Sequence, residues 1–253
     1  MPDAPDENKR RLAPLAARRP TTVPEVVDLL REIRDVADDL EGKGKGHRDG
    51  IACFSDLYHT ITSDVLARYE ARDLFRCGDF IYRLDLAFAQ RYLDALHAWL
   101  GGRPTPACWS ILFDRRQDDS AEWCFSVVGV NAHVNFDLTF ALLDVWEANP
   151  GRWPDLRHQR ADYLAINRIF HERMDHLCEE NGTPWTRWEE LFPDGGWLDR
   201  LANRGGDMIV LRTRDEAWDK AEELWPSRER DGYRDVMSET LDEKAEFIAK
   251  IFI

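Results

Sequence analysis

The sequence is short of the features that mark several protein classes. Five cysteines in 253 residues stand at 53, 77, 108, 124 and 178. Their number is odd, their spacings are wide and no C-x-x-C occurs. This excludes a disulfide framework or a Cys-rich zinc site and suits a reducing, cytoplasmic compartment. Positive charge is scarce: 34 Lys and Arg face 48 Asp and Glu, a formal net charge of -14. A chain that gripped a phosphate backbone or an anionic membrane would carry a basic face, so neither nucleic acid nor membrane is expected as a partner. No run of eighteen apolar residues occurs and the N-terminus has no apolar core of leader length. A nucleophile elbow, a phosphate-cradling glycine loop and a dinucleotide fingerprint are all missing. Strand-like alternation is scarce too, and "CFSVVGV" is its best instance.

What is present is helical period and apolar bulk. Hydrophobic residues make up 43%, with ten Trp and twelve Phe, enough for a packed core. Residues 1–22 read as a flexible arm. "TVPEVVDLLREIRDVADDLEGKG" then opens at Thr-Val-Pro and closes at Gly42, with Val26, Val27, Leu30, Ile33 and Leu40 on one stripe. Further helical patterns follow in "IACFSDLYHTITSDVLARYEAR", "DFIYRLDLAFAQRYLDALHAWLGG", "RADYLAINRIFHERMDHLCEENG", "DMIVLRTRDEAWDKAEELW" and "RDVMSETLDEKAEFIAKIFI". Short Trp-rich helices are expected between 184 and 203. "RPTPACWSILF" reads as the start of a loop, and Asp119 with Glu122 as a capping box for the helix beyond it. The expected fold is all-α: one domain over 23–253, with roughly seven to nine helices around a central buried helix near 120–147.

That central segment, "GVNAHVNFDLTFALLDVW", is apolar nearly all round, yet carries polar groups at alternate positions. His133 and Asp137 are four apart and share a face. Asn131 and Asn135 form a second such pair on roughly the opposite face. Asp85 is the one charge near the middle of an apolar stripe of Ile81, Phe88, Ala89, Tyr92 and Leu96. Thr62 falls between Tyr58 and Val65, and Asn167 among Tyr163, Phe170 and Met174. Buried polar groups without partners cost about 1–3 kcal/mol each, so something must bond, ligate or hydrate them. Ordinary helix cross-linking explains any one of them. The convergence from four helices favours a pocket.

Two chemistries suit the set. In the first, His133 and Asp137 bind a zinc, manganese or iron ion with Asp85 as third ligand or base, for metal-assisted hydrolysis or lyase chemistry on a small molecule. His171 and Asp175 repeat the spacing and would allow a two-metal centre. In the second, a metal-free cyclase or isomerase of specialised metabolism uses His133, oriented by Asp137, and a desolvated Asp85 as proton-transfer groups. In either case Asn131, Asn135, Asn167, Tyr58 and Thr62 position the substrate. A third reading, from another class, is a non-catalytic small-molecule-binding or interaction protein with structural polar stripes.

"GVNAHVNFDL" also resembles the Asn-Ala-His-Ile-Asn-x-Asp-Leu signature of a family of unknown function, number 5995 among the domains of unknown function. "DGIACFSDLYHTIT", "RLDLAFAQRYLDAL", "CWSILF" and "DYLAINRIF" extend the resemblance over roughly residues 45–180. It implies an all-helical domain and carries no established activity. Position by position it points to Asp49, Tyr58, Thr62, Asp85, Arg91, Tyr92, Asn131, His133, Asn135, Asp137 and Asn167, which adds Arg91 and Tyr92 to the substrate-binding candidates. A more distant fold-level similarity, to helical zinc phospholipases C and P1-type nucleases, rests on His-x-x-x-Asp on a buried helix.

Overall fold

A computed structural model describes residues 7–39, 48–149, 156–180 and 207–253, with side chains in the last two stretches described at 157–170, 173 and from 214 onward. Among these residues every regular element is a helix, and they form a single-domain bundle. The helices are α1 (Glu7–Ala16), α2 (Val23–Asp38), α3 (Gly50–Ala71), α4 (Gly78–Leu100), α5 (Ala107–Asp114), α6 (Glu122–Ala132), α7 (Leu138–Ala148), α8 (Leu156–Glu180), α9 (Asp207–Leu224) and α10 (Asp235–Phe252). A π-helical turn, His133–Asp137, joins α6 to α7 without a break.

The α6–π–α7 rod is the axis of the bundle. It is long and apolar enough to cross a membrane by length and composition, but 89% of its apolar window is buried by other helices. Helices α3, α4, α5, α9 and α10 all pack against it. Burial all round explains why the sequence shows no polar face here. Gly129 sits where α3 comes closest, and an added Cβ would lie 2.3 Å from the Phe54 ring. Only the missing side chain lets Phe54 seat directly on the rod, one turn before His133.

Three expectations need correction. Residues 7–16 are not part of a loose arm: they form α1, which buries Asn8, Leu12, Leu15 and Ala16 and packs on α2 and α4. Its apolar residues are too few to announce a helix alone, and the long neighbours supply the missing contact. The segment after Pro106 is not loop but α5, whose first amides are capped by Asp242 from α10 (2.8 and 2.9 Å to Ala107 and Cys108). That cap is 134 residues distant, beyond any local reading. No Asp119–Glu122 capping box forms, since α6 is capped by Ala121 with no side-chain bond. A capping box does form at α2, between Thr22 and Glu25. The Trp-rich stretch of 184–203, Gly42, and the side chains of His171 and Asp175 lie outside the described residues.

Candidate active site

The polar residues of the rod divide by what they touch. Ser126 donates to the Cys53 carbonyl of α3 at 3.2 Å, and Thr139 to the Ala217 carbonyl of α9 at 3.3 Å. Asn131 donates to the Ala245 carbonyl of α10 at 2.7 Å, and its own Oδ1 accepts from Asn135 at 2.8 Å. The bonds of Ser126, Thr139 and Asn131 to backbone carbonyls tie the axis to surrounding helices, and Asn135 braces Asn131 from within the rod. Asn131 and Asn135 therefore face α10 and do not reach the other polar candidates.

His133 and Asp137 face the opposite way. Asp137 Oδ2 accepts from Trp109 Nε1 at 2.9 Å and lies 3.0 Å from His133 Nδ1. A carboxylate can only accept, so Nδ1 carries the ring hydrogen and Nε2 presents a bare lone pair. Nε2 is buried and has no partner. The ring is clamped by aromatics: Phe88 stacks on it with centroids 3.3 Å apart and planes at 7°, and Tyr58 meets it edge-on at 4.6 Å. Burial pushes the imidazole's pKa down, more than the hydrogen bond and charge of Asp137 raise it, so it is neutral at pH 7. The π turn widens the helix where this pair sits, a distortion often found at functional positions.

A cavity of about 60 Å³ opens beside this imidazole. Its wall is mainly apolar, from Phe54, Leu57, Ile61 and Val65 on α3, Leu84 and Phe88 on α4, and Ile166 and Phe170 on α8. Five polar residues interrupt it: Tyr58, Thr62, Asp85, His133 and Arg214. Asp85 Oδ2 is, like His133 Nε2, buried with no hydrogen-bond partner, and the buried Tyr58 and Thr62 hydroxyls have only each other, in a contact short of good hydrogen-bond geometry. Two open polar atoms and a weakly joined pair of hydroxyls in one small cavity are far from the near-complete satisfaction of ordinary cores. Desolvation alone pushes the Asp85 carboxyl up to about 7. Burial likewise raises the Tyr58 phenol, reinforced by the charges of Asp85 and Asp137, so it stays a hydroxyl.

Sequence candidates thus separate into three groups. Tyr58, Thr62, Asp85 and His133 line the cavity, and Asp137 stands directly behind His133. Asn167 is one step back, accepting from Arg214 Nε at 2.6 Å. Arg91, Tyr92, Asn131 and Asn135 do not line it. Arg91 pairs with Asp144 at 3.2 Å and covers the Phe140 ring. Tyr92 is fully buried, its hydroxyl 2.9 Å from that of Ser55. Asp49 caps α3 and pairs with Arg116. No group of three or more His, Cys, Asp or Glu side chains is placed to hold a metal ion among the described residues. Asp137 spends its Oδ2 on His133 and Trp109, which leaves the imidazole to offer the cavity one nitrogen.

Three contributors were not singled out from sequence. Trp109 was hidden in a stretch read as loop. Phe88 was read only as core. Arg214, Ala217, Trp218 and Ala221 form a buried i, i+3, i+4, i+7 stripe on α9. An unaccompanied charge on an apolar stripe is the signal that exposed Asp85, and it applies here equally.

Comparison with known proteins adds a family but no activity. A family described as a family of unknown function, DUF5995, matches residues 23–253. No curated protein and no solved structure matches the chain. The match covers most of the chain, including every helix that builds the cavity, and the chain belongs to the DUF5995 family.

Proposed function

We propose that this protein is a metal-free acid–base enzyme, an isomerase or cyclase that moves a proton at carbon next to a carbonyl in a small, mainly apolar molecule. The observation that carries the reading is the open Nε2 of His133, held as a lone pair by the Asp137 bond and facing a cavity that also holds the unpartnered Asp85 carboxyl.

The roles follow from protonation. His133 Nε2 accepts the proton from the carbon α to the carbonyl. The C–H electron pair moves into the new C=C bond, and the carbonyl π pair moves onto oxygen. Asp85, still substantially protonated near pH 7, gives its proton to that oxygen and yields the neutral enol. Return of a proton to a different carbon isomerises the molecule, and attack of the enol carbon on a second electrophile within it closes a ring. Tyr58 and Thr62 offer hydroxyls to the same oxygen. Asp137 and Trp109 fix the imidazole's tautomer and orientation without touching substrate. A 60 Å³ space holds about two waters, so a substrate of several carbons displaces the half-buried Phe88 from the His133 face.

The test is solvent exchange. The protein is incubated in D₂O with 4-methyl-2-pentanone and the C3 methylene signal is followed by proton NMR. Loss of that signal faster than in buffer, abolished in His133→Gln, is the expected result. Exchange equal in the two proteins, or restored only by added zinc, manganese or iron, contradicts the metal-free reading; dependence on an added ion would point to the metal-assisted alternative.

A further inference from the structure

The cavity contains a cation that the acid–base reading leaves unused. Arg214 is 4% exposed. Its guanidinium donates to Asn167 Oδ1 at 2.6 Å and to the Tyr163 carbonyl at 3.4 Å, and stacks over the Tyr163 ring at 4.5 Å. All of these partners are neutral. Among the described residues no carboxylate forms an ion pair with it: the neighbouring Asp215 acts on it only through space, against the burial that lowers its pKa, and Asp49, Asp137 and Asp162 are engaged by Arg116, by His133 and Trp109, and by the Cys77 amide. A guanidinium has five N–H donors, and two hydrogen bonds to protein leave donors over. Buried charges are otherwise paired or bound to ions.

We infer that Arg214 is the anchor for a substrate carboxylate, and that the molecules this site takes are short apolar oxo acids. The inference rests on the acid–base reading for the carbonyl and goes beyond it for the carboxylate. A single planar guanidinium matches a planar monoanion, since its fork pairs two oxygens side by side. No second Lys or Arg lines the cavity to balance a dianionic phosphate. The rest of the wall is aliphatic and aromatic, which suits a hydrocarbon body. Asn167 and Tyr163 would hold the guanidinium plane from behind, leaving its free edge to the ligand. Asp85 then faces the carbonyl end, where a neutral carboxyl donates a hydrogen bond and does not repel the bound anion.

A matched pair of probes isolates the charge. 4-Methyl-2-oxopentanoate and 4-methyl-2-pentanone share the same branch and ketone, and differ by carboxylate against methyl. Titration calorimetry on the full chain should show the oxo acid binding at least tenfold more tightly than the ketone. In Arg214→Gln that preference should disappear, the oxo acid losing at least tenfold more affinity than the ketone. Equal binding of acid and ketone by the natural protein, or an undiminished preference in Arg214→Gln, overturns the proposal. Where Arg214→Gln does not fold, the arginine Nε–H resonances of the natural protein serve instead. A shift of the Arg214 signal with the oxo acid and none with the ketone supports the anchor, and no shift with either overturns it. Failure of the two ideas is separable. Carboxylate preference without proton exchange at C3 overturns the acid–base reading alone. Exchange on the ketone without carboxylate preference overturns the anchor alone.

Discussion

Two faces of one helix show how the same residue types serve different ends. On the α10 side, Asn131 and Asn135 close a chain of hydrogen bonds that ends on a backbone carbonyl. On the α3 and α4 side, His133 and Asp137 have the same four-residue spacing, but their chain ends on an open nitrogen in a cavity. The first pair spends its polarity on the fold. The second keeps one atom in reserve, and Asp85 beside it does the same. What separates a cross-link from a site here is satisfaction of the last polar atom, more than burial or residue type.

Mutation should pull the two faces apart. The largest effect belongs to the open face. His133→Gln should lower the exchange rate by about 10²–10⁴-fold, the range for a lost general base, a loss in the folded protein that goes beyond any stability lost with the Nδ1–Asp137 bond and the Phe88 stack. A large stability loss with exchange retained would put His133 in the same class as Asn131. The converse variant, Asn131→Ala, strands the Ala245 carbonyl and the Asn135 amide, and should cost about 1–3 kcal/mol in urea unfolding. Its exchange rate should match that of the natural protein, and a rate loss as large as its stability loss would erase the distinction.

Asp85 sharpens the contrast through pH. Its folded carboxyl keeps a proton up to about pH 7, whereas the unfolded chain releases it near 3.8. Between these values the folded state binds more protons, so the residue's contribution to stability falls as pH rises and is fully unfavourable above 7. Asp85→Asn should therefore stabilise the protein at pH 8 by about 1–3 kcal/mol, with the gain shrinking toward pH 4; the range is kept below the full shift because the residue is partly solvated. The same variant should lose exchange activity. In the natural protein, exchange should rise as His133 sheds its proton below its ordinary pKa of 6.5 and fall as Asp85 ionises near 7, a bell with its top between. A profile flat from pH 5 to 9 would remove both groups from the chemistry. The smallest effect is expected of Trp109→Phe. It deletes one hydrogen bond to Asp137 and should cost about 0.5–1.5 kcal/mol.

Much of this contrast was legible in the sequence, and the limits are physical. The all-helical bundle and its buried axis follow from period and apolar density over 122–148. Asp85 and His133 were visible because a charge or an imidazole on an apolar stripe needs a reason. The partner of each stripe was not visible. Nothing local says that Asn131 meets a carbonyl 114 residues on, or that Trp109 comes back to Asp137. The two pairs on the axis therefore read alike, though only one faces a cavity. Helix α1 escaped because its burial is supplied by α2 and α4. Arg214 is screened in the sequence by the charges around it, Arg212, Asp215 and Glu216, which make the segment look like a solvated face.

The central claim, that His133 holds a free base in the cavity, is tested most directly by long-range nitrogen–proton NMR on the imidazole of the full chain between pH 5 and 8. The account predicts the Nδ1–H tautomer at pH 7, an unprotonated Nε2, titration below 6.5 and a perturbed Nε2 resonance on adding 4-methyl-2-oxopentanoate. An Nε2–H tautomer, or a doubly protonated ring at pH 7, would contradict it.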